Sequence, residues 1–129
     1  MRLLDWLSPP RYEIPQRFVP EPQSRFALVG SAIADASGRA QVDFQGPPRG
    51  QTWYVETAGV TGGTLVVFYK NSEEPRNNFN MGEPSPNVLD RNRVYRIWTG
   101  ERIIVIFTGA AIGARCTVHM EGAVGYGDA

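Results

Sequence analysis

The chain has 129 residues, the length of one domain, and its composition, with 42% hydrophobic and 20% charged residues, is ordinary for a globular protein. Its 13 basic and 13 acidic residues cancel and are interspersed, which argues against a nucleic-acid partner because such surfaces carry a basic stripe. The only cysteine, Cys116, excludes a disulfide within the chain and the usual Cys–His zinc spacings. No apolar run is long enough to span a bilayer, so we expect no membrane partner. The glycines form no phosphate-binding loop, and we expect no cofactor.

The first 23 residues differ in pattern from the rest of the chain. Five of the ten prolines fall there. They follow a short apolar cluster that contains Leu3, Leu4, Trp6 and Leu7. Because each proline fixes φ and pushes its predecessor toward extended geometry, the segment should be extended. We predict that residues 1–23 form a docking arm whose four apolar side chains fill pockets on a neighbouring molecule. The opening apolar stretch is too short for a secretory signal, which favours synthesis in a cytoplasm.

From Ser24 onward the sequence predicts about seven or eight short strands separated by turn residues, and no helix beyond the first few residues of the chain. The predicted strands cover residues 25–33, 39–44, 52–57, 64–70, 93–98, 102–108 and 115–121. This pattern is typical of an all-β, antiparallel β-sandwich or jelly roll. We assign residues 24–124 to that domain and residues 125–129 to a flexible tail. The stretch 71–90 is predicted to be a long irregular loop.

Two of the predicted strands, 64–70 and 102–108, are apolar on both faces. A strand in a two-sheet domain normally shows one face to water. We therefore expect the second face of these two strands to be covered by a neighbouring subunit or by the N-terminal arm. Cover by loops or by the stems of long side chains is the alternative.

Few residues point to catalysis. His119, the only histidine, falls on the polar face of its predicted strand, and no nucleophile motif accompanies it. Glu73 and Glu74 are adjacent in a polar loop, where consecutive side chains diverge, unlike the acid pair of a glycosidase. The asparagines of the 71–90 loop could offer oxygen ligands to calcium, but they lack a fixed ligand spacing. We predict a protein that is not an enzyme, with no catalytic, cofactor-binding or metal-binding residues.

A candidate ligand or interface surface consists of Tyr95 and Trp98, on a predicted strand, and of Asn77 and Asn78, in the long loop. Exposed aromatic rings can stack on sugars, so carbohydrate binding is one interpretation of this surface. Packing in the core or against another subunit is the other.

Four segments, 34–42, 51–56, 99–110 and 112–118, follow one another in an order that resembles small virion structural proteins of tailed bacteriophages, particularly those infecting actinobacteria. They carry a Gly-Arg-Ala…Trp-x-Val hairpin and a Gly-Glu-x-Ile-x-Val ending with later Gly-Ala pairs. The resemblance implies a non-enzymatic capsid decoration or stabilising protein, made in the host cytoplasm and located in the virion. It also implies a homo-oligomer such as a trimer, with phage capsid or tail proteins as partners. A tail or head–tail connector accessory protein, or a carbohydrate- or receptor-binding module, remains as an alternative.

Overall fold

The computed structural model describes residues 24–89 and 94–126. The predicted docking arm, with Leu3, Leu4, Trp6 and Leu7, lies outside these residues, so its conformation and its role stay predictions. Within the described ranges the only helical element is a single 3-10 turn, Pro75–Asn77, and no helix there has the length and apolar character to cross a membrane.

The described residues form eight strands, which confirms the all-β prediction. They are β1 Arg25–Ile33, β2 Ala40–Gln45, β3 Gln51–Thr61, β4 Leu65–Lys70, β5 Asn78–Gly82, β6 Tyr95–Ile97, β7 Arg102–Thr108 and β8 Arg115–Tyr126. They build two four-stranded sheets, β1-β8-β3-β6 and β2-β7-β4-β5, in which every pairing is antiparallel.

β6 is shorter than the predicted strand 93–98 and ends at Ile97, so Trp98 lies just beyond it. Three further strands differ from the prediction. β5 lies inside the stretch expected to be irregular, because pairing with β4 satisfies its backbone despite the low strand propensity of its asparagines. β3 runs on to Thr61 beside β8, and β8 runs on to Tyr126, so that Gly125 and Tyr126 of the predicted tail pair with the start of β3. In each case a partner strand, which local sequence does not reveal, extends the element.

The turn between β1 and β2 is organised by one carboxylate. Asp35 Oδ1 accepts hydrogen bonds from the Ser37 hydroxyl at 2.7 Å, the Ser37 N–H at 2.9 Å and the Arg39 N–H at 3.0 Å. These bonds, the hydroxyl bond first, hold the pKa of the Asp35 carboxyl below its usual range because they favour its charged form. The turn carries the chain from the first sheet to the second.

The core lies between the two sheets and draws on both. Its largest fully buried side chains come from β3, β4, β6, β7 and β8: Val55, Phe68, Ile97, Phe107 and Met120. The predicted alternation of β2 is confirmed. Ala40 and Val42 are buried, whereas Asp43, which lies between Val42 and Phe44, is exposed.

The second sheet also buries apolar side chains on the face that points away from this core. Val67, Ile104 and Ile106 are 8%, 2% and 6% exposed within a single chain, and none belongs to the core between the sheets. Their burial therefore does not require a neighbouring subunit, and cover by a subunit stays a prediction.

Polar side chains cross this outer face. Arg39 lies just before β2 and pairs at 2.8 Å with Glu73, in the loop after β4, so the ion pair spans the intervening strand β7. Arg39 also donates a 3.1 Å hydrogen bond to Gln41, which sits beside Ile106 in the β2–β7 ladder. This arrangement matches the alternative in which loops and side-chain stems provide the cover.

Candidate functional site

A cavity of about 460 Å³ opens at the β6 edge of the first sheet. We call it the aromatic–arginine cavity. Four of its eight lining residues are aromatic and two are cationic: Tyr54, Lys70, Phe79, Val94, Tyr95, Arg96, Ile97 and Trp98. Strands β3, β4, β5 and β6 all contribute, so only the folded domain brings these residues together.

The guanidinium of Arg96 lies over two of the rings. Arg96 is paired with Tyr54 across the β3–β6 ladder, and Trp98 follows two residues later, just beyond the end of β6. The guanidinium carbon lies 5.8 Å from the centroid of the Tyr54 ring and 4.8 Å from that of Trp98, within the range of cation–π attraction. Arg96 is exposed, and none of the carboxylates in the described ranges lies within ion-pair distance of it.

Lys70, in the lining of the cavity, forms an ion pair with Glu101. Glu101 Oε1 accepts a 2.7 Å hydrogen bond from the Trp98 N–H and lies 3.5 Å from Lys70 Nζ. Lys70 Nζ also donates a 3.4 Å hydrogen bond to the carbonyl oxygen of Arg96. The charges of Lys70 and Glu101 therefore compensate each other, and the positive charge of Arg96 has no acidic partner among the described residues.

Only two of the four residues predicted as a ligand surface line the cavity. Tyr95 and Trp98 both line the aromatic–arginine cavity. Asn77 lies in the 3-10 turn and donates a 2.6 Å hydrogen bond to Ser72, while Asn78 begins β5 beside Tyr69, and neither lines the cavity. The asparagines hold the connection into β5 together.

Tyr95 has a packing role as well. Its hydroxyl group lies 3.1 Å from Asn80 Oδ1, and its ring centroid lies 5.1 Å from that of Phe79. No pattern in the sequence pointed to Arg96, Tyr54 or Lys70 as site residues. Side-chain alternation puts Tyr54 on the same face of its strand as Glu56, but the register with β6 that sets Arg96 beside Tyr54 is not a local property.

The residues considered for catalysis are dispersed. Glu73 pairs with Arg39 and Glu74 with Arg76, so the two acids have separate partners. Cys116 is fully buried, and burial raises the pKa of its thiol. Across residues 24–89 and 94–126, no three His, Cys, Asp or Glu side chains are grouped so as to hold a metal ion.

A second exposed feature is the free side of β1, which we call the open edge. β1 stands at the end of the first sheet, and within the described part of the chain β8 is its only strand partner. Val29 is 72% exposed and Ile33 52%, on the side of β1 that points away from the core. On the core side, Leu28 and Ala32 are only partly buried. The edge thus combines unpaired backbone groups with uncovered apolar side chains.

Comparison with known proteins identifies no relative: no family model matches the chain, and neither a curated protein nor a solved structure matches it. The resemblance to phage virion proteins therefore stays a prediction.

Proposed function

We propose that this chain is a non-enzymatic structural protein of a tailed-phage virion, a β-sandwich that decorates or stabilises the capsid and associates with copies of itself. The observation that carries the self-association is the open edge of β1. The sandwich assignment is supported by the two antiparallel sheets that share one core.

Natural edge strands usually carry a device that prevents pairing with other chains, such as proline, lysine, a bulge or very short length. β1 has nine residues without proline or lysine, and its register with β8 is unbroken. Fully burying a Val or Ile side chain contributes about 1.5–3 kcal/mol, so covering Val29 and Ile33 would add substantially to strand pairing. A chain that stays monomeric gains nothing from such an edge.

The position of Val29 favours a particular arrangement. It is the fifth of the nine residues of β1, so two β1 strands related by a two-fold axis would place two Val29 side chains next to each other. Isologous pairing of this kind yields a dimer. The trimer implied by the resemblance would instead need β1 to meet a different edge of its neighbour.

The arm has a place in this proposal. Residues 1–23 lead directly into β1, and the Ser24 carbonyl accepts a 3.0 Å hydrogen bond from the Val124 N–H, which anchors the start of the domain. Leu3, Leu4, Trp6 and Leu7 would dock on the capsid, while the β domain holds neighbouring copies together. A linked arm raises the effective concentration of its binding segment.

The test of self-association compares Val29→Lys with Met81→Lys by sedimentation velocity. Met81 is 54% exposed on β5, at an edge of the other sheet, and is the matched control. Val29→Lys should weaken association by at least about tenfold, because a two-fold pair would bring two ammonium groups together. Met81→Lys should leave it unchanged. A monomeric wild-type protein, or equal effects of both variants, would contradict the proposal.

The test of the virion role mixes the full-length protein, and a form lacking residues 1–23, with empty capsids and with isolated tails. The full-length protein should co-sediment with capsids, and the shortened one should remain folded but unbound. Binding to tails alone would favour the tail or connector alternative over capsid decoration. If the shortened protein bound capsids as well as the full-length one, the docking role of the arm would be wrong.

A further inference from the structure

We propose that the aromatic–arginine cavity binds an acidic saccharide, with the guanidinium of Arg96 receiving the sugar carboxylate. This inference goes beyond assembly, since β6 and β1 stand at opposite ends of the same sheet. One domain could therefore associate through the open edge and still present the cavity.

The state of Arg96 is the first reason. The rings of Tyr54 and Trp98 restrict the orientation of its planar guanidinium, while its exposure leaves N–H groups available to a ligand. An arginine fork matches a carboxylate through two parallel hydrogen bonds, and less side-chain entropy is lost when the fork is already oriented. An oriented guanidinium without an acidic partner favours an anion as the ligand.

The charge balance supports the same conclusion. Lys70 and Glu101 lie 3.5 Å apart and neutralise each other, which leaves the charge of Arg96 in excess. The second pocket of the domain, by contrast, has Asp43 and Arg102 in its lining, 3.6 Å apart, so its charges are already paired. Of the two pockets described, only the aromatic–arginine cavity has an unpaired cation in its lining.

The size and the lining of the cavity indicate the class of anion. A volume of about 460 Å³ lies within the range of small-ligand sites, and it far exceeds what an inorganic anion needs. Half of the lining residues are aromatic, and their rings offer flat apolar surfaces to the C–H groups of a sugar ring. A ligand with both a ring and a carboxylate uses the rings and Arg96 together.

An acidic peptide is less suited to this site. Peptides commonly bind at a sheet edge by adding a strand through backbone hydrogen bonds. Here the carbonyl oxygen of Arg96 already accepts a hydrogen bond from Lys70 Nζ, and β6 has only three residues with which an added strand could pair. A lysine placed across an edge strand is also a common obstacle to strand addition. We therefore assign the carboxylate to a saccharide.

The test titrates full-length protein with three probes in a calorimeter: oligogalacturonate, a neutral malto-oligosaccharide of equal length, and poly-glutamate. Oligogalacturonate should bind, and the other two should bind at least about tenfold more weakly. Equal binding of the neutral sugar would overturn the role of the carboxylate. Preference for poly-glutamate would overturn the saccharide assignment, and absence of binding by oligogalacturonate would overturn the proposal.

Variants locate the binding. Arg96→Gln should lower the affinity for oligogalacturonate by about tenfold or more, and Arg96→Lys should recover only part of it, because lysine keeps the charge but lacks the fork. Arg115→Gln is the matched control, because Arg115 is also exposed on the first sheet. It lies at the far end of β8, where it donates a 3.0 Å hydrogen bond to the Ser31 hydroxyl. Equal losses for Arg96→Gln and Arg115→Gln would show general charge attraction and overturn the site. Unchanged thermal unfolding of both variants establishes that they are folded.

Discussion

Replacing Ile104 by alanine tests whether β7 is buried on both faces within one chain. Ile104 is 2% exposed on the outer face, and its neighbour Ile103 is fully buried on the core face. Ile→Ala removes three carbons, each worth about 0.8 kcal/mol on burial, and the cavity left behind adds to this loss. We therefore expect each of Ile103→Ala and Ile104→Ala to lower the free energy of unfolding by about 3 kcal/mol. An isoleucine facing water would lose less than about 1 kcal/mol.

The assay is urea unfolding followed by circular dichroism at several protein concentrations. Val29→Ala, at the exposed side of β1, is the control that should change the unfolding free energy by less than about 0.5 kcal/mol in dilute, monomeric protein. Cover supplied by a second subunit would make the effect of Ile104→Ala grow with protein concentration, because association stabilises by mass action. A loss below about 1 kcal/mol for Ile104→Ala, or such a concentration dependence, would refute burial within one chain.

Two further predictions concern the backbone. A Cβ at Gly122 would collide with the carbonyl of Tyr54 beside the bulge in β3, whereas a Cβ at Gly125 would meet the movable ring of Tyr54. Gly122→Ala should therefore lower the free energy of unfolding in urea by roughly 1–3 kcal/mol, and Gly125→Ala should lower it clearly less. Equal losses of unfolding free energy in the two variants would contradict the clash. Hydrogen bonds hold the pKa of Asp35 in the folded protein below its unfolded value. Their contribution to folding stability is therefore present above the unfolded pKa and is lost as the pH falls through the folded pKa. The melting temperatures of wild type and Asp35→Asn should therefore differ at neutral pH and converge in strong acid, and a pH-independent difference would contradict this.

The strands whose side chains alternate were predictable from the sequence. In β2 the order of Ala40, Val42 and Asp43 matches the burial in the structure, because neighbouring side chains on a strand point to opposite faces. β5 was not predictable, since its asparagines have low strand propensity and only the ladder with β4 holds them extended. The additional length of β3 and β8 likewise depends on their pairing with each other.

The candidate site was predictable only in part. Tyr95 and Trp98 could be selected as aromatic residues of a predicted strand, and both line the cavity, although β6 ends at Ile97 and Trp98 lies just beyond it. Asn77 and Asn78 were grouped with them because they lie in a long polar stretch, but they serve the connection into β5. Arg96 gave no local signal, because its significance comes from Tyr54, a residue 42 positions earlier that faces it across a ladder.

The sequence alone predicts the all-β class, the position of most strands and the two-sided apolar character of β4 and β7. These features follow from side-chain alternation and turn residues, which act over a few residues. Three features became visible only in the folded domain. They are the burial of Val67, Ile104 and Ile106 within the chain, the open edge of β1, and the position of Arg96 over two rings. Each of these depends on sheet order and register, which are set by contacts between residues far apart in the chain.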